Sequence, residues 1–128
     1  MNEDFVTIEI AKKLHENGFN EPCINAINPY GCTYLNGWCE YLDNRDGEGI
    51  TLSDLKDGDY LLPTISQVLK WLRVEKKLHI VLPATFSENY WWEIRDFNRS
   101  ISEYADAEYQ SYEQAALVGI EYCLDNLI

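Results

Sequence analysis

His79, Glu93 and Arg95 are the side chains in this 128-residue sequence whose types and spacing could support proton transfer. An imidazole held by a carboxylate is a general base with its orienting partner. His79 lies in Leu78-His79-Ile80-Val81-Leu82, and the other two lie in Tyr90-Trp91-Trp92-Glu93-Ile94-Arg95-Asp96-Phe97. If these runs pair as neighbouring strands, His79 sits beside Glu93 or Arg95 on the sheet face turned away from the helices. An ordinary cross-strand polar pair explains the same neighbours, so an enzyme built on His79 and Glu93 is an alternative and not the leading reading. Alternation sends Trp91, Glu93, Arg95 and Phe97 to one face and Tyr90, Trp92 and Ile94 to the other. Trp91, Phe97, Arg95 and His79 are therefore candidate binding residues, since aromatic side chains and arginine are enriched at contact surfaces. The sequence contains no phosphate-cradling glycine loop, no H-E-x-x-H and no G-x-S-x-G, and no motif implies a cofactor.

The elements that must position these residues follow from periodicity. Thr64 can cap a helix and Gln67 can reach back to it, the reciprocal pairing of a capping box. Ile65, Val68, Leu69 and Leu72 recur at helical spacing, with Lys70, Arg73 and, if the helix reaches it, Lys77 along one flank and Trp71 on the other. After Lys77 the pattern becomes short and β-branched, a buried strand closed by Pro83. A helix running into a strand hides its apolar stripe by packing back on a sheet. A first helix is expected over about Asp4 to Asn17, with Val6, Ile10, Ala11 and Leu14 inward and Gly18 as terminator. Asn36-Gly37 joins Cys32–Leu35 to Trp38–Tyr41 as a two-residue hairpin. A final helix starts near Ser111, and Ala116, Ile120, Cys123, Leu124 and Leu127 trace its buried side. The expected fold class is α+β, a small antiparallel sheet made of the N-terminal hairpin and the C-terminal strand pair, with helices packed on one face. The length suits a single domain over residues 1–128.

Two metal readings fail on spacing. Asn44, Asp46, Glu48 and Gly49 occupy positions 1, 3, 5 and 6 of an EF-hand-like loop, but position 12 is Leu55 where a bidentate Glu is required. Cys23, Cys32, Cys39 and Cys123 include no C-x-x-C pair. In the hairpin register Cys32 and Cys39 are diagonal, roughly 7–8 Å apart at Cα and too far for an easy disulfide. Buried free thiols are expected.

The formal charge is −12. Phosphates would be repelled over most of such a surface, which argues against direct nucleic-acid binding. No Lys or Arg follows Arg99, whereas Glu103, Asp106, Glu108, Glu113, Glu121 and Asp125 do. These six are the candidate acidic face of a second alternative, an inhibitor that imitates the charge of DNA and occupies a host nucleic-acid-binding protein. No apolar run approaches the roughly 18 residues of a membrane span. The opening MNEDFVTIEI lacks the basic start of a signal peptide, so a cytoplasmic protein is expected.

The pattern L-P-T-x-S-x-x-x-K-W-L-R-x-x-K-x-L-H-I, Leu62 to Ile80, resembles a segment of an uncharacterised family of small proteins from phages and prophages of gut anaerobic bacteria. There it is preceded by E-x-G-F-x-E-P-C-like sequence, matched by Glu16 to Cys23, and followed by a helix near Y-E-x-A. The resemblance implies a mobile-element origin and carries no catalytic residue. The leading expectation is thus a small non-enzymatic accessory or interaction protein that meets a protein partner or a second copy of itself through the outer sheet face.

Overall fold

The structure, a computed structural model, describes residues 4–31 and 49–128. The predicted hairpin with Cys32, Trp38 and Cys39 lies outside these residues, as do Asn44, Asp46 and Glu48 of the EF-hand-like pattern. The fold is α+β, the described residues forming three α-helices and two small antiparallel sheets, and it divides into two compact units.

The unit Phe5–Thr64 is built on helix α1, Ile8–Glu16. It begins later than the periodicity predicts because the Thr7 hydroxyl accepts the Ile10 N–H at 3.3 Å and fixes the cap there. Val6 precedes the cap, buried but extended, and donates its N–H to the Pro63 carbonyl. The end is as expected: Gly18 takes φ +83, Phe19 N–H reaches the Leu14 carbonyl, and Gly18 N–H reaches His15. That is the Schellman closure, and the buried Phe19 seals it. Strands β1 (Ala26–Ile27) and β2 (Tyr60–Leu61) pair antiparallel, Ala26 opposite Leu61. Leu52–Asp54 form a single 3-10 turn.

The second unit, Ile65–Ile128 with Asp4, contains the central helix and strand. Helix α2 covers Ile65–Glu75, and the Asp4 carbonyl accepts the Ile65 N–H at 2.9 Å. Its buried residues are Ile65, Val68, Trp71 and Leu72. Trp71 is a correction, because it belongs to the stripe and not to its flank. It stands three residues after Val68 and one before Leu72, so the buried face is centred nearer Val68 and leaves Leu69 half-buried. Lys76 extends its ammonium over the Trp71 ring, 5.3 Å from the centroid. The helix stops where Lys77 turns left-handed at φ 58, and β3, Leu78–Val81, begins at once.

A non-glycine residue in that conformation costs about 1–2 kcal/mol. Two bonds from a later turn hold the junction: Phe97 N–H to the Lys77 carbonyl at 3.0 Å, and the Asn98 side-chain amide to the Lys76 carbonyl at 2.9 Å.

Strands β4 (Glu93–Asp96) and β5 (Ile101–Tyr104) complete a three-stranded antiparallel sheet in the order β3-β4-β5. The predicted strand pair is therefore a triplet. The buried Asp96 carboxylate organises the turn between β4 and β5 by accepting the N–H groups of Asn98 and Arg99 at 3.0 and 3.2 Å.

Helix α3, Tyr112–Asn126, starts where the Ser111 hydroxyl accepts the Gln114 N–H at 3.1 Å. Its buried side is Ala115, Ala116, Gly119, Ile120, Cys123 and Leu124. At Gly119 a Cβ would stand 3.2 Å from Trp92 Cγ and 3.6 Å from Ile80 Cγ2, so the absent side chain lets helix and sheet close together. No helix among the described residues is long and apolar enough to cross a membrane.

Candidate functional site

Register decides which residues the sheet offers to the outside. His79 pairs with Arg95, Val81 with Glu93, Arg95 with Ser102 and Glu93 with Tyr104. Since α3 covers the Ile80 and Trp92 side, His79, Val81, Trp91, Glu93, Arg95, Phe97, Ser102 and Tyr104 form the opposite face. The structure thus brings together the four predicted binding residues and adds Tyr104, which sequence reading missed.

The middle of this face is an ion pair, Arg95 Nε to Glu93 Oε1 at 3.6 Å, with the arginine side chain half exposed. A pair so placed contributes little to stability, ~0–1 kcal/mol. Aromatic contacts lie at both ends. Trp91 stacks on Tyr104 with centroids 6.0 Å apart and planes 25° apart. His79 meets Phe97 at 6.4 Å.

For proton transfer the arrangement supplies the predicted neighbours in an unhelpful pairing. Arg95, and not Glu93, lies directly opposite His79, and the Glu93 carboxylate faces the guanidinium. The His79 ring has Phe97 beside it. No three His, Cys, Asp or Glu side chains converge on a metal position among the described residues.

Beside Trp91 the chain departs from strand geometry. Ala105 N–H donates to the Trp92 carbonyl, and Tyr90 and Tyr109 exchange both backbone bonds. Asp106, Ala107 and Glu108 therefore bulge out opposite a single residue, Trp91. Trp91, Ala105, Asp106, Ala107 and Glu108 line an open hollow of about 370 Å³ there. The two alanines leave the room, the carboxylates stand at the rim, and Glu108 accepts a bond from the Asn89 amide at 3.2 Å.

The remaining acidic residues go elsewhere. Glu103 turns to the helix side and accepts the Tyr122 hydroxyl at 3.4 Å. Partial burial, then the Glu103 carboxylate, raise the Tyr122 pKa above its ordinary value. Glu113, Glu121 and Asp125 ride on α3. On the buried side of that helix, burial and then the neighbouring Asp96 carboxylate push the Cys123 thiol up to about 12.

Compared with known proteins, the chain matches no family, no curated sequence and no solved structure. Function is therefore read from the geometry of this face.

Tyr104 escaped sequence reading because β5 did. The one local signal was the turn-rich Phe97–Ser100 that follows the alternating run ending in β4.

Proposed function

We propose that this protein is a small non-enzymatic accessory protein whose outer sheet face binds a protein partner. The observation that carries the reading is the Trp91–Tyr104 stack. Tyr104 is 57 % exposed in a position where no core requires an aromatic ring. Phe97, 59 % exposed, extends apolar surface to the far end of the same face. Large aromatic side chains around a charged centre have the composition of contact surfaces. The Leu62–Ile80 resemblance supports a mobile-element origin and gives the expected partner a host or phage source.

The test compares the wild-type protein with Trp91→Ala/Tyr104→Ala and, as a control, the Glu113→Gln variant on α3. A partner recovered from lysate by wild type and by the control, and lost with the double variant, is the expected result. Light scattering across concentrations reads self-association on the same three proteins. If the double variant retains every partner and the same mass as wild type, the outer face is not the contact surface.

A further inference from the structure

The hollow beside Trp91 has a chemistry more specific than a general contact patch. Its wall is an indole backed by Tyr104, and its rim carries two carboxylates. Among the described residues Asp106 has neither a hydrogen bond nor an ion pair, while Glu108 meets only the neutral Asn89 amide. No Lys or Arg follows Arg99 in sequence, and Arg95 on the same face is held by Glu93. Among the described residues the hollow thus has no cation to balance its charge, within a chain of net charge −12. Its volume is at the small end of the roughly 300–1,000 Å³ of ligand pockets, and it opens to solvent. That shape suits one projecting side chain better than an enclosed small molecule.

We infer that this hollow binds the guanidinium of an arginine presented by the protein partner, a reading that rests on the outer face being the contact surface. A guanidinium is planar, stacks on an indole, and offers forked donors that match carboxylates. It is also weakly hydrated, so leaving water costs it less than it costs an ammonium. Charge complementarity excludes a second acidic segment of this chain as the occupant, because like charges at the rim would oppose it.

The experiment uses the full chain and short capped glycine peptides carrying arginine, lysine or citrulline, with binding followed at the Trp91 indole N–H by NMR. The arginine peptide is expected to shift that resonance at low salt and less at raised salt. Asp106→Asn/Glu108→Gln should weaken binding about tenfold, and Trp91→Ala, which removes the indole and is followed instead at the Ala107 backbone N–H, should weaken it about fivefold. Glu113→Gln/Asp125→Asn removes the same charge from α3 and should leave binding unchanged, which separates the hollow from the general acidity of the chain. Equal binding of citrulline or lysine overturns the guanidinium assignment. So does equal weakening by the α3 variant, or an arginine peptide that leaves the Trp91 resonance unmoved.

Failure here is distinguishable from failure of the interaction reading. If partner capture depends on Trp91 and Tyr104 but not on Asp106 and Glu108, the face binds and the hollow does not.

Discussion

The two faces of the three-stranded sheet are made by the same strands and differ in everything else. On the helix side Ile94 is fully buried, Trp92 lies against Tyr122 with ring centroids 4.9 Å apart, and Gly119 brings α3 down onto both Ile80 and Trp92. One residue along each strand, the outer side carries His79, Arg95, Glu93 and Tyr104, of which Arg95 and Tyr104 are exposed and none is fully buried. The difference shows that period-two alternation, and not residue type, decides which aromatic side chains are structural. Trp91 and Trp92 are adjacent and identical, yet one completes a core and the other walls a hollow.

The comparison breaks first at Ile94 and Arg95. Truncating Ile94 to alanine removes a side chain with no exposure and should cost about 3–4 kcal/mol in urea unfolding. Arg95→Ala, its neighbour in the same strand, should change stability by no more than about 0.5 kcal/mol. Similar midpoint shifts in both variants would mean that the outer face is also core.

Gly119 sharpens the same point from the helix. A side chain there meets Trp92 Cβ at 3.3 Å and Cγ at 3.2 Å, atoms fixed close to the β4 backbone that cannot swing aside. Gly119→Val should therefore destabilise the fold by about 2–3 kcal/mol, overpacking outweighing the better helix propensity of any residue over glycine. A stabilised variant would show that α3 does not press on the sheet as described.

Cys123 lets pH probe the buried side. Its thiol remains protonated in the folded protein up to about 12, against an ordinary value of 9.0. Below 9 both folded and unfolded chains hold the proton and the contribution is complete. As pH rises from there toward 12 the unfolded chain loses the proton first, so stability falls, with a limiting slope of about 1.4 kcal/mol per pH unit. Tyrosines titrate in the same range, so the measurement is the difference in slope between wild type and Cys123→Ala. Identical slopes would place that thiol in contact with water.

The fold was legible where one element satisfies two rules at once. Residues 65 to 81 change period at Lys77, and the helix and strand lie on either side of that change. Gly18 was legible as a terminator because the apolar spacing ends just before it. That His79 neighbours Glu93 or Arg95 followed from placing two alternating runs side by side, but the register that sets it opposite Arg95 did not. Strand β5 was not legible because its inward positions are Ile101 and Glu103, and a carboxylate on the helix side contradicts the pattern a buried face should have. Tyr122 explains it by offering that carboxylate a hydroxyl. Strands β1 and β2 are two residues each and pair across more than thirty positions, too little sequence to show alternation. The hollow was hidden for the same reason as β5: Asp106 and Glu108 read as part of an acidic stretch until Ala105 and Tyr109 are tied back to the sheet on either side of them.

The smallest effect is the most discriminating. A double-mutant cycle on Trp91 and Tyr104 should give a coupling of about 0.5–1 kcal/mol in unfolding, the worth of an exposed aromatic pair beyond its area. The same two substitutions should abolish partner binding. This asymmetry is what a contact surface requires, since its side chains are kept for what they meet and not for what they hold up. A coupling above about 2 kcal/mol would exceed what a stacked pair in water supplies. The stack would then be a brace for β5, and the exposed rings would need no partner to explain them.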